Sequence, residues 1–262
     1  ILKQERFRDY DRTSVDLFIN AVTDFSDKEL HPYFEEMDAH PAHFEDGEVH
    51  VHPQVLRYME KAGEMGLAAA LFDYDQGGLQ MPGSVVTAAA YIQEAANNHL
   101  PGYIGLTFGA AELILHFGND HLKNTYVPHM LSGAWNGTMC LTEAQCGSDL
   151  GLLRTKAEPQ ADGSYAITGQ KIFISAGDHD MAENIIHLVL ARLPDAPPGV
   201  KGISLFLIPK FLLDENGEAG ERNEVECISI EHKLGIHGSP TCTMQFGDKD
   251  GAVGYLVGKP NQ

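Results

Sequence analysis

The chain has 262 residues, enough for one or two domains with a real core, and its 43% hydrophobic content sets it apart from disordered and fibrous sequences. Eighteen Lys and Arg against 37 Asp and Glu give a formal net charge of −19, a field that repels phosphate backbones and argues against nucleic acid as a partner. The sequence contains no run of about 18 apolar residues, so no membrane-spanning helix is expected.

The first half carries helical spacing. Val15, Phe18, Ile19 and Val22 recur on one side, with Thr13 or Ser14 as the cap. The stretch DAHPAHFEDGEVHVH (38–52) reads as an irregular loop. HPQVLRYMEKAGEMGL then predicts a helix, with Pro53 in its first turn, Val55, Leu56, Met59 and Ala62 on one side, and Gly66 as its stop. SVVTAAAYIQEAANN is small and apolar on nearly every side, which predicts a buried helix. After Pro101-Gly102, YIGLTFGAAELILHFG predicts another helix, and residues 120–131 a short one closed by Gly133.

From about Asn136 the period moves toward two. GSYAITGQKIFIS, NIIHLVLARL, GISLFLIPK, EVECISIEH, CTMQFGD and AVGYLVG read as strands separated by Gly-rich turns. The fold class expected is α+β: an all-helical domain over 1–135 followed by an antiparallel β domain over 136–262. Cys140, Cys146, Cys227 and Cys242 show no C-x-x-C spacing and read as reduced core thiols. The opening ILKQERFRDYDRTS has neither an apolar leader nor a transit pattern, so a cytoplasmic location is expected (the mitochondrial matrix in a eukaryote).

Two stretches carry candidate chemistry. CLTEAQCGSD (140–149) offers the Thr142 and Ser148 hydroxyls, and Gly147 lets a ligand approach the backbone N–H groups. This suits an uncharged polar ring or a pyrophosphate, but taken alone the stretch reads more readily as a plain strand-to-loop connection. In TGQKIFISAG (168–177) strand alternation places Phe173 and Ser175 on one face and Ile172 and Ile174 on the other. An aromatic and a hydroxyl on one face suit a planar heterocycle, although core packing is the commoner use. The phosphate loops of nucleotide-binding enzymes are absent.

Together these stretches resemble the acyl-CoA dehydrogenase family. CLTEAQCGSD is similar to its small-apolar-[ST]-E-x-x-[small]-G-[ST]-D loop, and GQKIFISAG to its GxKxW/F-I-[ST] strand, with RTKAE and ITG between them. KLGIHGSPTCTMQFGD (233–248), MGLAAALFDYDQGGLQMP and HLKNTYVPHMLSGAW extend the likeness over about 55–258. Met139 stands where an aromatic is frequent, Gln145 where glycine is, and Tyr74 where proline is. LGIHGSPTC looks more like the large multidomain members, those acting on methylthio-propanoyl-CoA included.

The resemblance implies a β-barrel for the second domain and FAD in the cleft between the two. It assigns Met139, Leu141, Thr142, Gly147, Ser148, Phe173, Ile174 and Ser175 to FAD, and Ser148 also to the acyl-CoA substrate. It further implies α,β-dehydrogenation of an acyl-CoA thioester and a separate electron acceptor such as an electron-transfer flavoprotein. The full-length protein is expected to be a homo-oligomer. The base would be a glutamate of a C-terminal helical domain, expected to be missing here, so no catalytic residue is expected within these 262. An acyl-CoA oxidase, a flavin monooxygenase relative or a non-catalytic binding module are the alternatives. The histidines at 40, 43, 50 and 52 invite a metal, but their spacing fits no established site, and a solvated loop is the preferred reading.

Overall fold

The computed structural model describes residues 1–261. The first long helix, α1 (Arg12–Phe25), begins one turn earlier than the expected cap. Asp11 accepts from Ser14 N at 2.7 Å while Ser14 Oγ accepts from Asp11 N at 2.9 Å, a reciprocal box in which Ser14 is the third helical residue. A short α2 (Phe34–Ala39) follows. The 38–52 stretch is not all loop: β1 (His43–Glu45) and β2 (Glu48–His50) form a hairpin. Its turn is Asp46-Gly47 with φ of 51° and 87°, and glycine meets the left-handed requirement of such a turn at no steric cost.

α3 (Gln54–Glu64) buries Val55, Tyr58, Met59 and Ala62, whereas Leu56 points outward. α4 (Gly83–Ala96) departs from expectation. It buries only Ala89 and Gln93 and leaves Tyr91 75% exposed, because it lies on α1 at the edge of the helical layer. The central helix is instead α5 (Pro101–Phe117), followed by α6 (Asp120–Leu131). Among the described residues no helix is long and apolar enough to cross a membrane.

The β part contains β3 (Trp135–Cys140), β4 (Lys156–Pro159), β5 (Tyr165–Ser175), β6 (Asn184–Arg192) and β7 (Ile203–Pro209). A small hairpin of β8 (Phe211–Leu213) and β9 (Ala219–Arg222) precedes β10 (Val225–Ile230), β11 (Thr241–Phe246) and β12 (Ala252–Val257). The order β10-β11-β5-β12-β7-β6-β3 is closed by β4, which pairs with β5 and touches β6 at Lys156 and Arg192. The barrel is not wholly antiparallel. β3 runs parallel to β6 over six residue pairs, because the chain leaves β3 through a long loop and two strands before returning in the same direction.

β6 is buried on both faces. His187, Val189 and Ala191 join the barrel interior, while Ile186 and Leu188 pack with Ala111 and Ile114 of α5. Close approach of α5 to β3 depends on Gly137. A methyl group there would lie 2.7 Å from Ala110 Cβ and 3.2 Å from Thr107 Cα. Thr107 Oγ1 in turn accepts from Gly137 N at 3.0 Å and Asn136 Nδ2 at 3.2 Å, which fastens the strand leading into the candidate loop. The four cysteines are free and buried, and burial pushes the Cys140 thiol up to about 12 against the nearby Lys171.

Candidate functional site

Beyond Cys140 the chain turns through Leu141–Asp149. Glu143 N donates to Cys146 O at 2.8 Å and Cys146 N returns to Glu143 O at 3.0 Å, closing a tight polar turn. The turn lies along β5. Ile172 N donates to the Thr142 carbonyl at 2.9 Å, Lys171 Nζ to the Leu141 carbonyl at 3.2 Å, and Thr138 Oγ1 to the Ser175 carbonyl at 2.8 Å. Gly147 stacks on Thr142 so closely that an added Cβ would sit 3.3 Å from Thr142 Cγ2.

A buried ion pair secures this contact. Glu143 Oε1 accepts from Lys171 Nζ (2.9 Å), Thr155 N (3.0 Å) and Thr155 Oγ1 (2.6 Å), while Oε2 accepts from Arg154 N (2.8 Å) and Gln145 Nε2 (2.5 Å). Burial alone would raise its pKa, but the bonds from Thr155, Lys171 and the Arg154 and Thr155 amides hold the carboxyl at about 2. Burial pulls the Lys171 pKa down, with Glu143 opposing. Glu143 is therefore an ionised fastener, with both oxygens engaged.

On β5 the ladder to β11 shifts register between Cys242 and Met244, so Ile172 and Phe173 together oppose a single residue. Phe173 occupies this bulge at φ +59° and is turned outward, 58% exposed. Holding a non-glycine residue there costs of order 1–3 kcal/mol. Ser175 is exposed as well, and Ile174 is 2% exposed with its side chain in the core. Any contact Ile174 makes with a ligand is therefore through its backbone.

The structure thus brings Leu141, Thr142 and Gly147 to the bulged strand that carries Phe173 and Ser175, with Ser148 exposed at the open end of the turn. Met139 is placed differently. It lines a groove of about 770 Å³ with Leu113 and Phe117 of α5 and Leu190, Leu205 and Leu256 of the sheet, across β3 from Thr138.

Sequence reading passed over Lys171, Thr155 and Arg192. Simple alternation puts Lys171 with Phe173 and Ser175 on the outer face. The bulge reverses that and sends Lys171 inward, and only a lone lysine in an apolar run hinted at it. Arg192 donates to the carbonyls of Gly151 (2.9 Å), Leu153 (2.8 Å) and Gly199 (2.8 Å), tying the outgoing end of the turn to the loop before β7.

A helical layer on a barrel, with a polar turn and a bulged strand brought together on the barrel, defines a two-part scaffold. Residues 14–134 match the family model of the acyl-CoA dehydrogenase N-terminal domain, and 138–249 that of its middle domain. The chain belongs to the acyl-CoA dehydrogenase family. It is 44% identical over 224 residues to the 3-methylmercaptopropionyl-CoA dehydrogenase of Ruegeria pomeroyi, covering 86% of this chain and 38% of that protein. It is 46% identical over 199 residues to a broad-specificity linear acyl-CoA dehydrogenase of Mycobacterium tuberculosis, covering 75% and 32%. The chain therefore spans well under half the length of these two relatives. Among solved structures, acyl-CoA dehydrogenase from Geobacillus kaustophilus shares the fold with a TM-score of 0.76 at 24% identity, over 96% of this chain and 60% of that one. The FAD complex of acyl-CoA dehydrogenase from Bacillus anthracis gives 0.75 at 23%, over 97% and 38%.

Proposed function

We propose that this chain carries the flavin-holding face of an enzyme that introduces an α,β double bond into an acyl-CoA thioester. The observation that carries the reading is the junction of the Thr142–Ser148 turn with the bulged strand, which exposes Phe173 from a strained backbone next to Ser175. These residues fit FAD: an aromatic surface for the ring, hydroxyls of Thr142 and Ser175 for its polar edge, and the backbone at Gly147 and Ser148 for its pyrophosphate. Ser148 also faces the acyl-CoA in this reading. When bound, FAD supplies the acceptor for the hydride that leaves the β-carbon.

The α-proton needs a free carboxylate within hydrogen-bond reach of the substrate. Glu143 is excluded by its engaged oxygens and its depressed pKa. The base in this proposal lies outside these 262 residues. Electrons pass to a separate acceptor such as an electron-transfer flavoprotein, the complete protein is a homo-oligomer, and the compartment is the cytoplasm. With FAD, a panel of acyl-CoAs and an artificial acceptor, the chain alone should quench flavin fluorescence yet show no turnover. Robust turnover would place the base within these residues and overturn this assignment, and a wild-type flavin affinity in Thr142→Ala and Phe173→Ala would overturn the flavin face.

A further inference from the structure

Four residues that the flavin reading leaves unused share one face of the β1–β2 hairpin. The strands pair His43 with His50, Phe44 with Val49 and Glu45 with Glu48. Alternation along the ribbon turns Phe44 and Val49 toward the core and leaves His43, Glu45, Glu48 and His50 on the other side. Spacing along the chain fits no metal motif. The Asp46-Gly47 turn supplies across the hairpin what the sequence order lacks.

The two rings are placed as a chelating pair. Their centroids lie 5.2 Å apart, with the planes inclined by 34°. Two imidazole nitrogens bound at about 2.1 Å to one ion, at a tetrahedral angle, put the ring centroids roughly 5 Å apart. His50 is also held from behind. Its Nδ1 is 2.9 Å from Asp180 Oδ2, and Asp180 Oδ1 accepts from Val51 N at 3.2 Å. A carboxylate only accepts, so Nδ1 carries the proton and the neutral ring has its lone pair at Nε2. A carboxylate in that position orients a metal-binding histidine and makes it more basic.

His52 is already engaged. Its Nδ1 accepts from Gln54 N at 3.1 Å, and its Nε2 lies 3.3 Å from Glu36 Oε1. Among the described residues, no three of His, Cys, Asp and Glu are grouped to hold a metal. The protein's share is therefore two nitrogens. Water takes the other positions, and Glu45 and Glu48 add negative charge on the same face.

We propose that His43 and His50 form a two-histidine site for a divalent late first-row transition metal ion, with Asp180 behind His50. Imidazole pairs select Ni²⁺, Cu²⁺ and Zn²⁺ over Mg²⁺ and Ca²⁺, which take oxygen ligands. The site reaches beyond the hairpin. His50 comes from the segment between α2 and α3 and Asp180 from the loop between β5 and β6, so an ion that fixes the His50 ring also fixes a contact between the two parts of the fold. None of this depends on the flavin reading.

Ni²⁺ titrated into the 262-residue chain tests the site, followed by calorimetry and by paramagnetic broadening of backbone amide signals. One saturable site is expected, with the amides of residues 43, 50 and 180 among the first to broaden. Asp180→Asn keeps an acceptor behind His50 without the charge, and Ni²⁺ affinity should fall about tenfold. His43→Ala and His50→Ala, each checked for folding by circular dichroism, should each cost at least as much. Excess Mg²⁺ should not displace Ni²⁺. The chelate is overturned if either ring can be removed without loss of affinity, or if broadening centres on residues away from the hairpin. Displacement by Mg²⁺ also overturns it, because the carboxylates are then the ligands. Unchanged affinity in Asp180→Asn removes Asp180 from the site.

Discussion

At Glu143 five donors converge on two carboxylate oxygens, and one of them is the ammonium of a fully buried lysine. Glu143→Gln leaves Lys171 charged and without its partner, which should cost about 3–5 kcal/mol in denaturant unfolding. Glu143→Leu combined with Lys171→Met removes both charges and should regain much of that loss. The pH dependence has a definite sign. The folded carboxyl is held at about 2 against an ordinary 4.5, so its contribution is complete above pH 4.5 and drains away as pH falls toward 2. Glu143→Gln should flatten that acid limb of a thermal-stability profile. Phe173 behaves oppositely, since it is exposed and its backbone is strained. Phe173→Gly should leave the melting temperature of the flavin-free chain unchanged or raised. The lost ring contact of about 0.5–1.5 kcal/mol should weaken flavin binding by about two- to tenfold.

Elements show where the sequence was legible. Long apolar periods gave α3, α5 and α6 and the strands β5, β6, β7, β11 and β12 almost directly. The motif pair that resembles the family lies where the turn meets β5. Other features depend on partners distant in sequence. α4 has apolar residues all round, and only the placement of α5 decides that it lies at an edge. The β1–β2 hairpin was signalled by Asp46-Gly47 but masked by surrounding histidines and prolines. The β5 bulge is invisible to alternation because it is set by register with β11, and so alternation places Lys171 on the outer face although it is buried. Spacing between elements is testable at Gly137. Gly137→Ala drives a methyl group against Ala110, Met130 and the α5 backbone at Thr107. It should cost about 1–3 kcal/mol as overpacking and shift the urea midpoint without changing the slope.

Across the whole molecule the net charge of −19 opposes the ligand that the site is proposed to take, because the FAD pyrophosphate is an anion. Local cations give little relief. The charge of Lys171 is matched by Glu143, and the Arg192 guanidinium is engaged by backbone carbonyls of the adjoining loops. Apart from the exposed Arg154, what remains at the turn is a set of backbone N–H groups around Gly147 and Ser148, whose dipoles act only at short range. Long-range repulsion and short-range attraction respond differently to salt. Between about 0.01 M and about 0.15 M ionic strength the screening length shrinks from roughly 30 Å to roughly 8 Å, which removes the repulsion but leaves contact dipoles nearly untouched. FAD association, followed by stopped-flow quenching of flavin fluorescence, should therefore speed up with salt while dissociation changes little. Riboflavin, which lacks the phosphates, should show no such dependence. If FAD association instead slows as salt is added, a cluster of positive side chains governs capture, and the backbone of the Thr142–Ser148 turn is not what holds the pyrophosphate.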